Sequence, residues 1–222
     1  MAPANASAGF TLIELAVVLA LVGLLAWVSN SSYQNVGELD RRQQAAIENA
    51  QIQDALRGFV LANARLPCPD TDDDGRAEDC SMNTDSVGTI PYETLGLVRP
   101  AAAARGVYGV YRDAGNDADL AAPGEDRSGN DVVDKNDFII ALNNATGGQG
   151  INCDASSPYP AAFFTILPLQ DRDGSGQGLD REHGRGDPAF CIHAQGIGSE
   201  HDRDDAVRIQ STAGLAGWLK AQ

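Results

Sequence analysis

Residues 9–28 read GFTLIELAVVLALVGLLAWV. From Phe10 to Val28 this stretch is apolar but for Thr11 and a single acid, Glu14. As a helix it has about the length, some 20 residues, that crosses the hydrocarbon core of a bilayer. An ionisable group inside such a span costs at least a few kcal/mol, so Glu14 is read as functional. An ordinary secretory signal fits less well. Its apolar core would be shorter, would end at a small-residue cleavage site, and would not carry an acid near its start.

The segment Gly9-Phe10-Thr11-Leu12-Ile13-Glu14-Leu15 resembles the processing site of type IV prepilins and type II secretion pseudopilins. The resemblance implies that Met1–Gly9 is a leader, that a prepilin peptidase cuts after Gly9, and that the new N-terminal Phe10 is methylated. It implies that residues 10–28 form a transmembrane and filament-core helix, and that Glu14 neutralises the terminal amine of a neighbouring subunit. Two opposite charges in a lipid-like core are tolerable together and costly apart, which makes the pair a register device. The partners implied are other pilin subunits, the peptidase, an inner-membrane assembly platform, and membrane lipid before assembly. The location implied is a single pass through the inner membrane, then a periplasmic or extracellular filament. One feature departs from the pattern: the leader MAPANASAG has no Lys or Arg, while Arg41 and Arg42 lie beyond the span. Charge counting alone therefore does not put the N-terminus in the cytoplasm; the resemblance does.

The 222 residues allow one sizeable domain beyond the helix, or two small ones. A net charge of -15 argues against direct binding to nucleic acid and for solubility outside the membrane or cation binding. Four Cys in a chain exported by its first helix suggest disulfides. Of the three possible pairings, Cys68 with Cys80 and Cys153 with Cys191 close loops that do not cross. Zinc held by these Cys and His193 competes, but no C-x-x-C spacing is present.

No proline interrupts residues 29–64, the amphipathic continuation, so one helix from Phe10 to Asn63, roughly 80 Å long, is the simpler reading. At about 100° per residue, Val36, Leu39, Ile47 and Ala50 fall on one side, and Ile52, Leu56 and Phe59 nearly opposite. Such a change of face suits a helix that contacts neighbouring subunits first and then its own head domain; a helix buried on most sides would show it too. Leu66-Pro67-Cys68-Pro69 stops the helix, and 65–222 is read as an extracytoplasmic globular head. Residues 63–97 also resemble a group of large prepilin-like proteins with a proline-cysteine turn after the first helix, followed by a Gly-x-Ile-Pro-aromatic-x-Thr-Leu-Gly turn.

Asp70, Asp72 and Asp74, followed by Gly75, match the opening of a calcium loop, where alternate carboxylates converge on a hard cation. Glu78 is a further candidate ligand. Position twelve is Ser81, so the loop is not an EF-hand; the alternative is a solvated acidic turn pinned by a disulfide. Asp126, Ser128, Asn130, Asp134 and Asp137 repeat an EF-like spacing, but Asp131 stands where such a loop wants Gly, and a flexible surface loop is the preferred reading. Asp171–Gly176 reads as another short acidic turn, where calcium is an alternative and a hairpin turn the preferred reading.

Strands are expected over Gly106–Tyr111, Phe138–Leu142, Ala161–Leu169, Ala189–His193 and Ala206–Gln210. A final helix through Leu215, Trp218 and Leu219 is expected to be capped by Ser211 or Thr212. No catalytic motif is recognisable; His183, His193 and His201 are read as surface or strand residues, and Arg185-Gly186-Asp187 as an incidental tripeptide. The expected fold is α+β, a long N-terminal helix packed on an antiparallel sheet head in the manner of a pilin lollipop. Three functions compete: structural subunit of a type IV pilus, major or minor; secretion pseudopilin; and a calcium-dependent adhesive module at a filament tip. An enzyme is not expected.

Overall fold

The computed structural model describes residues 12–81, 85–113, 118–145, 161–171, 174, 178–180, 183, 190–192 and 204–222; the side chains of 28–36 and 38 lie outside that set. The chain divides into two units, Met1–Gln43 and Gln44–Gln222.

Helix α1 runs unbroken over Leu12–Asn63, as the absence of proline allows. In the first unit its described apolar side chains, from Leu12 to Trp27, stand exposed. Among the described residues, no helix is long and apolar enough to cross a membrane. The expected span Phe10–Val28 is thus not met within that set: Phe10 and the side chain of Val28 lie outside it, and the described apolar side chains stop at Trp27.

Within the second unit, Ala45, Asn49, Ile52, Leu56 and Val60 are buried, at the three- and four-residue spacing of one helical face. Leu39 in the first unit and Ile47 and Ala50 in the second are exposed, while Ile52 and Leu56, which the sequence sets nearly opposite, are buried and Phe59 is half-buried. The helix ends as Ala64 enters the left-handed region at φ 51°, ahead of Pro67 and Pro69.

Four strands follow, β1 (Val87–Thr89), β2 (Val107–Val110), β3 (Ala161–Leu167) and β4 (Ala206–Ser211), in the order β1-β2-β3-β4 with every neighbour antiparallel. The other helices are α2 (Lys135–Asn144) and α3 (Thr212–Lys220). Alternation splits the sheet between two cores. Tyr108, Val110, Phe163 and Leu167 join the core that holds Ile52, Leu56, Phe138 and Leu215 from the three helices. Val107, Phe164, Ile166 and Val207 join a second core with Leu179 and Ile192. Gly109 is required at its place in β2, since a Cβ there would overlap the Phe164 ring.

The architecture is the expected α+β arrangement. Phe138–Leu142, expected as a strand, is helical. Asp134 caps α2 by accepting from Asn136 N and Asp137 returns the favour to the Asp134 N–H, and this reciprocal cap starts a helix that the short apolar run does not reveal. Most of Asp171–Gly176, expected as an acidic turn, lies outside the described residues. Ser211 caps α3 as expected, accepting from Gly214 N. Of Ala189–His193, expected as a strand, Phe190, Cys191 and Ile192 are described and belong to none of the four strands, while Ala189 and His193 lie outside the described residues.

Candidate functional site

Two kinds of feature bear on function: the exposed apolar helix and the acidic loops of the second unit. Gly9 and Phe10 lie outside the described residues, whereas Glu14 sits in the first turn of α1. Carboxylates in a first turn complement the positive end of the helix dipole. Around Glu14, Leu12 is 85% and Ile13 77% exposed, and Trp27 at the far end 71%. A contiguous apolar surface of this kind marks an interaction site for lipid or for other chains.

In the second unit, Cys68 and Cys80 form a disulfide with a Cα–Cα distance of 5.6 Å. Cys191 is also disulfide-bonded; Cys153, its expected partner, lies outside the described residues. Arg112 sits over the first bridge, donating to Cys68 Sγ at 3.3 Å and Cys80 O at 3.0 Å while it pairs with Asp119 at 2.9 Å.

The loop between these cysteines is built on Asp70, whose backbone pairs with Thr89 at the sheet edge. Its carboxylate accepts from Asp73 N at 2.6 Å and Gly75 N at 2.8 Å. Gly75 supplies the turn at φ 93°. Burial raises the Asp70 pKa, and its backbone hydrogen bonds pull the other way. Glu78 Oε1 accepts from Thr71 N, Thr71 Oγ1 and Asp72 N. Asp70, Asp72 and Glu78 bring one ligand atom each within 4.8 Å of one another and could hold a metal ion. Asp74, expected as a fourth ligand, is not part of that group. Its Oδ1 turns to the Arg76 N–H at 2.7 Å, and its carbonyl accepts from Arg99.

The Asp126–Asp137 loop is ordered by its own carboxylates. Asp126 accepts from the N–H groups of Gly129, Asn130 and Asp131, and Asp137 from those of Arg127, Ser128 and Asp134. Asp131 adopts φ 64°, the left-handed conformation that an EF-like loop assigns to Gly.

A further acidic group, Asp180, Asp204 and Asp205, is not anticipated by the sequence. No local spacing could reveal it, because the Asp180 carboxylate accepts from Asp204 N across 24 positions. His183, expected at the surface or in a strand, is buried at 3% exposure, with Nδ1 2.9 Å from Asp205 Oδ2. His193, His201 and Arg185-Gly186-Asp187 lie outside the described residues.

No curated protein and no solved structure matches the chain. Residues 4–29 match the family model described as the prokaryotic N-terminal methylation motif. The matched stretch contains Gly9, Phe10 and Glu14 together with most of the exposed apolar part of α1, so the chain carries at its N-terminus the signature of type IV prepilins and pseudopilins.

Proposed function

We propose that this protein is a structural subunit of a type IV pilus or related filament, cut between Gly9 and Phe10 by a prepilin peptidase and polymerised through its N-terminal helix. The observation that carries this reading is the exposed apolar surface from Leu12 to Trp27, lying within the methylation motif and bearing one acid, Glu14. Before assembly lipid covers that surface at the inner membrane; in the filament, neighbouring helices replace lipid. The exchange brings little net hydrophobic gain, so helix packing and the Glu14–amine pair decide register. The second unit, Gln44–Gln222, is then the part displayed outside the membrane, with a charge balance unsuited to nucleic acid.

A secretion pseudopilin would use the same helix, and residues 4–29 do not separate the two. The test is intact mass of the protein from sheared surface filaments. A mass beginning at Phe10 with one added methyl supports a pilus subunit, and the same mass confined to membranes supports a pseudopilin. An uncut leader in cells that contain the peptidase overturns both.

Calcium at Asp70, Asp72 and Glu78, serving an adhesive role at a filament tip, is a second reading, favoured by the convergence of their ligand atoms. It requires Asp72→Asn with Glu78→Gln to abolish calcium-dependent adhesion without loss of filaments.

A further inference from the structure

We propose that Asp180, Asp204 and Asp205 form a binding site for a calcium-sized divalent cation at the entry to β4. Each offers one ligand oxygen, and these atoms lie within 4.8 Å of one another. Oxygens this close can share one ion, and three protein carboxylates suit Ca2+, which takes several protein oxygens, better than Mg2+, which keeps several waters and is usually held by one or two carboxylates. An all-carboxylate set suits a hard cation.

The acids are held before any ion arrives. Asp180 N donates to Asp205 Oδ2 and Asp204 N donates to Asp180 Oδ2, both at 2.9 Å, so the two chain segments clasp each other through their own backbone. Gln170 N donates to Asp204 Oδ1 at 3.1 Å. His183 Nδ1 meets Asp205 Oδ2 and acts as a positioning residue, fixing the carboxylate from one side.

The independent pointer to a ligand is the other oxygen of Asp205. Its side chain is fully buried, at 0% exposure, yet Oδ1 has no hydrogen-bond partner. Buried carboxylate oxygens are ordinarily satisfied, and an unsatisfied one beside two further carboxylates is chemically suited to a cation. Burial raises the Asp205 pKa and the charge of Asp180 adds to the rise, while the bond to His183 opposes it. A bound cation would remove both penalties. It would also fasten the segment carrying Leu179, which covers the second face of the sheet, to the start of β4.

The full chain in detergent, stripped of metal with a chelator, is titrated calorimetrically with Ca2+ through the ~10⁻⁴–10⁻³ M range typical of extracellular calcium modules. Asp205→Asn keeps the shape of the side chain and is expected to weaken one binding event by at least about tenfold and to diminish the Ca2+-dependent rise in melting temperature. Asp204→Asn, at a partly exposed position, is expected to weaken the same event with the head folded. Asp72→Asn with Glu78→Gln is expected to leave it intact, which separates this site from the Asp70 loop. Unchanged Ca2+ binding by Asp205→Asn and Asp204→Asn would overturn the proposal, as would wild-type protein that binds no Ca2+ or binds Mg2+ equally well.

Discussion

Thr165 and Asn49 meet in the interior of the second unit, 116 positions apart, where the Thr165 hydroxyl donates to Asn49 Oδ1 at 2.7 Å. Both side chains are buried, and Asn49 Nδ2 also donates to Ala206 O at 3.2 Å. One polar side chain on the buried face of α1 thereby fixes the helix against β3 and β4. Thr165→Val keeps the shape but strands Asn49 Oδ1, and is expected to cost about 1–3 kcal/mol in denaturant unfolding. In an Asn49→Leu background the same change should cost clearly less. Additive losses in the double-mutant cycle would mean that the bond contributes nothing of its own.

The disulfide is expected to matter through the unfolded chain. Closing a loop of this length contributes roughly 3 kcal/mol in the chain-entropy account, so Cys68→Ala with Cys80→Ala should lose about that much. Arg112→Ala should be at least as damaging, because it takes the charge partner from Asp119 Oδ2 and leaves the nearly buried carboxylate only the Ala121 and Ala122 N–H groups on Oδ1, a loss of about 3–5 kcal/mol. Equilibrium unfolding of the two variants decides the order. A milder Arg112 variant would show that water reaches Asp119 readily.

Gly109→Ala in β2 is expected to destabilise by more than the usual ~1–3 kcal/mol of overpacking, since the new methyl meets the face of Phe164. Phe164→Leu alone should also destabilise, and combined with Gly109→Ala should recover part of the loss. Thermal melts that show no rescue would place the cost in the backbone of the strand.

The reach of sequence reasoning follows the range of the interactions. The unbroken α1, the burial of Ile52 and Leu56 on one face of it, the proline stop, the Cys68–Cys80 bridge and the Ser211 cap each rest on neighbours in sequence or on one period, and all were legible. Helix α2 was not, because its apolar run is short and its start is set by the Asp134–Asp137 cap rather than by hydrophobic period. In the acidic loop the D-x-D-x-D pattern placed the turn, while the direction of Asp74, away from the group formed by Asp70, Asp72 and Glu78, depends on Arg76 and on Arg99, the latter 25 positions away. The Asp180–Asp205 group was out of reach altogether, since the fold alone joins its two segments.

Two sets of acids should give the metal-free protein a non-monotonic pH profile. The N–H of Asp131, first among its donors, lowers the Asp126 pKa, and the N–H of Asp134 does the same for Asp137. For these, stability is present above the ordinary Asp value of about 3.9 and is lost as pH falls through the depressed folded values. Asp70 and Asp205 are raised by burial, so their contribution is present below that ordinary value and is lost as pH rises through their folded values. Melting temperature in chelator should therefore rise on mild acidification from neutrality and fall below about pH 4. Asp205→Asn should flatten the first limb and Asp137→Asn the second. A melting temperature that only falls on acidification would exclude the part assigned to Asp70 and Asp205.

Glu14 offers a test that separates folding from assembly. It lies in the first unit, and among the described residues the buried side chains of α1 begin at Ala45 in the second, so Glu14→Ala should leave the melting of the second unit unchanged. In a filament core its loss would leave a neighbour's terminal amine without a partner in a medium where an unpaired charge costs about 2.5–3.5 kcal/mol. At that magnitude, incorporation into filaments should fall by about two orders of magnitude while the membrane-bound pool persists. Glu14→Gln keeps the hydrogen-bonding capacity and removes the charge. If charge neutralisation sets the register, Glu14→Gln should assemble nearly as poorly as Glu14→Ala; near-normal assembly of Glu14→Gln would assign the role to hydrogen bonding, and normal assembly of both would remove it from Glu14 entirely.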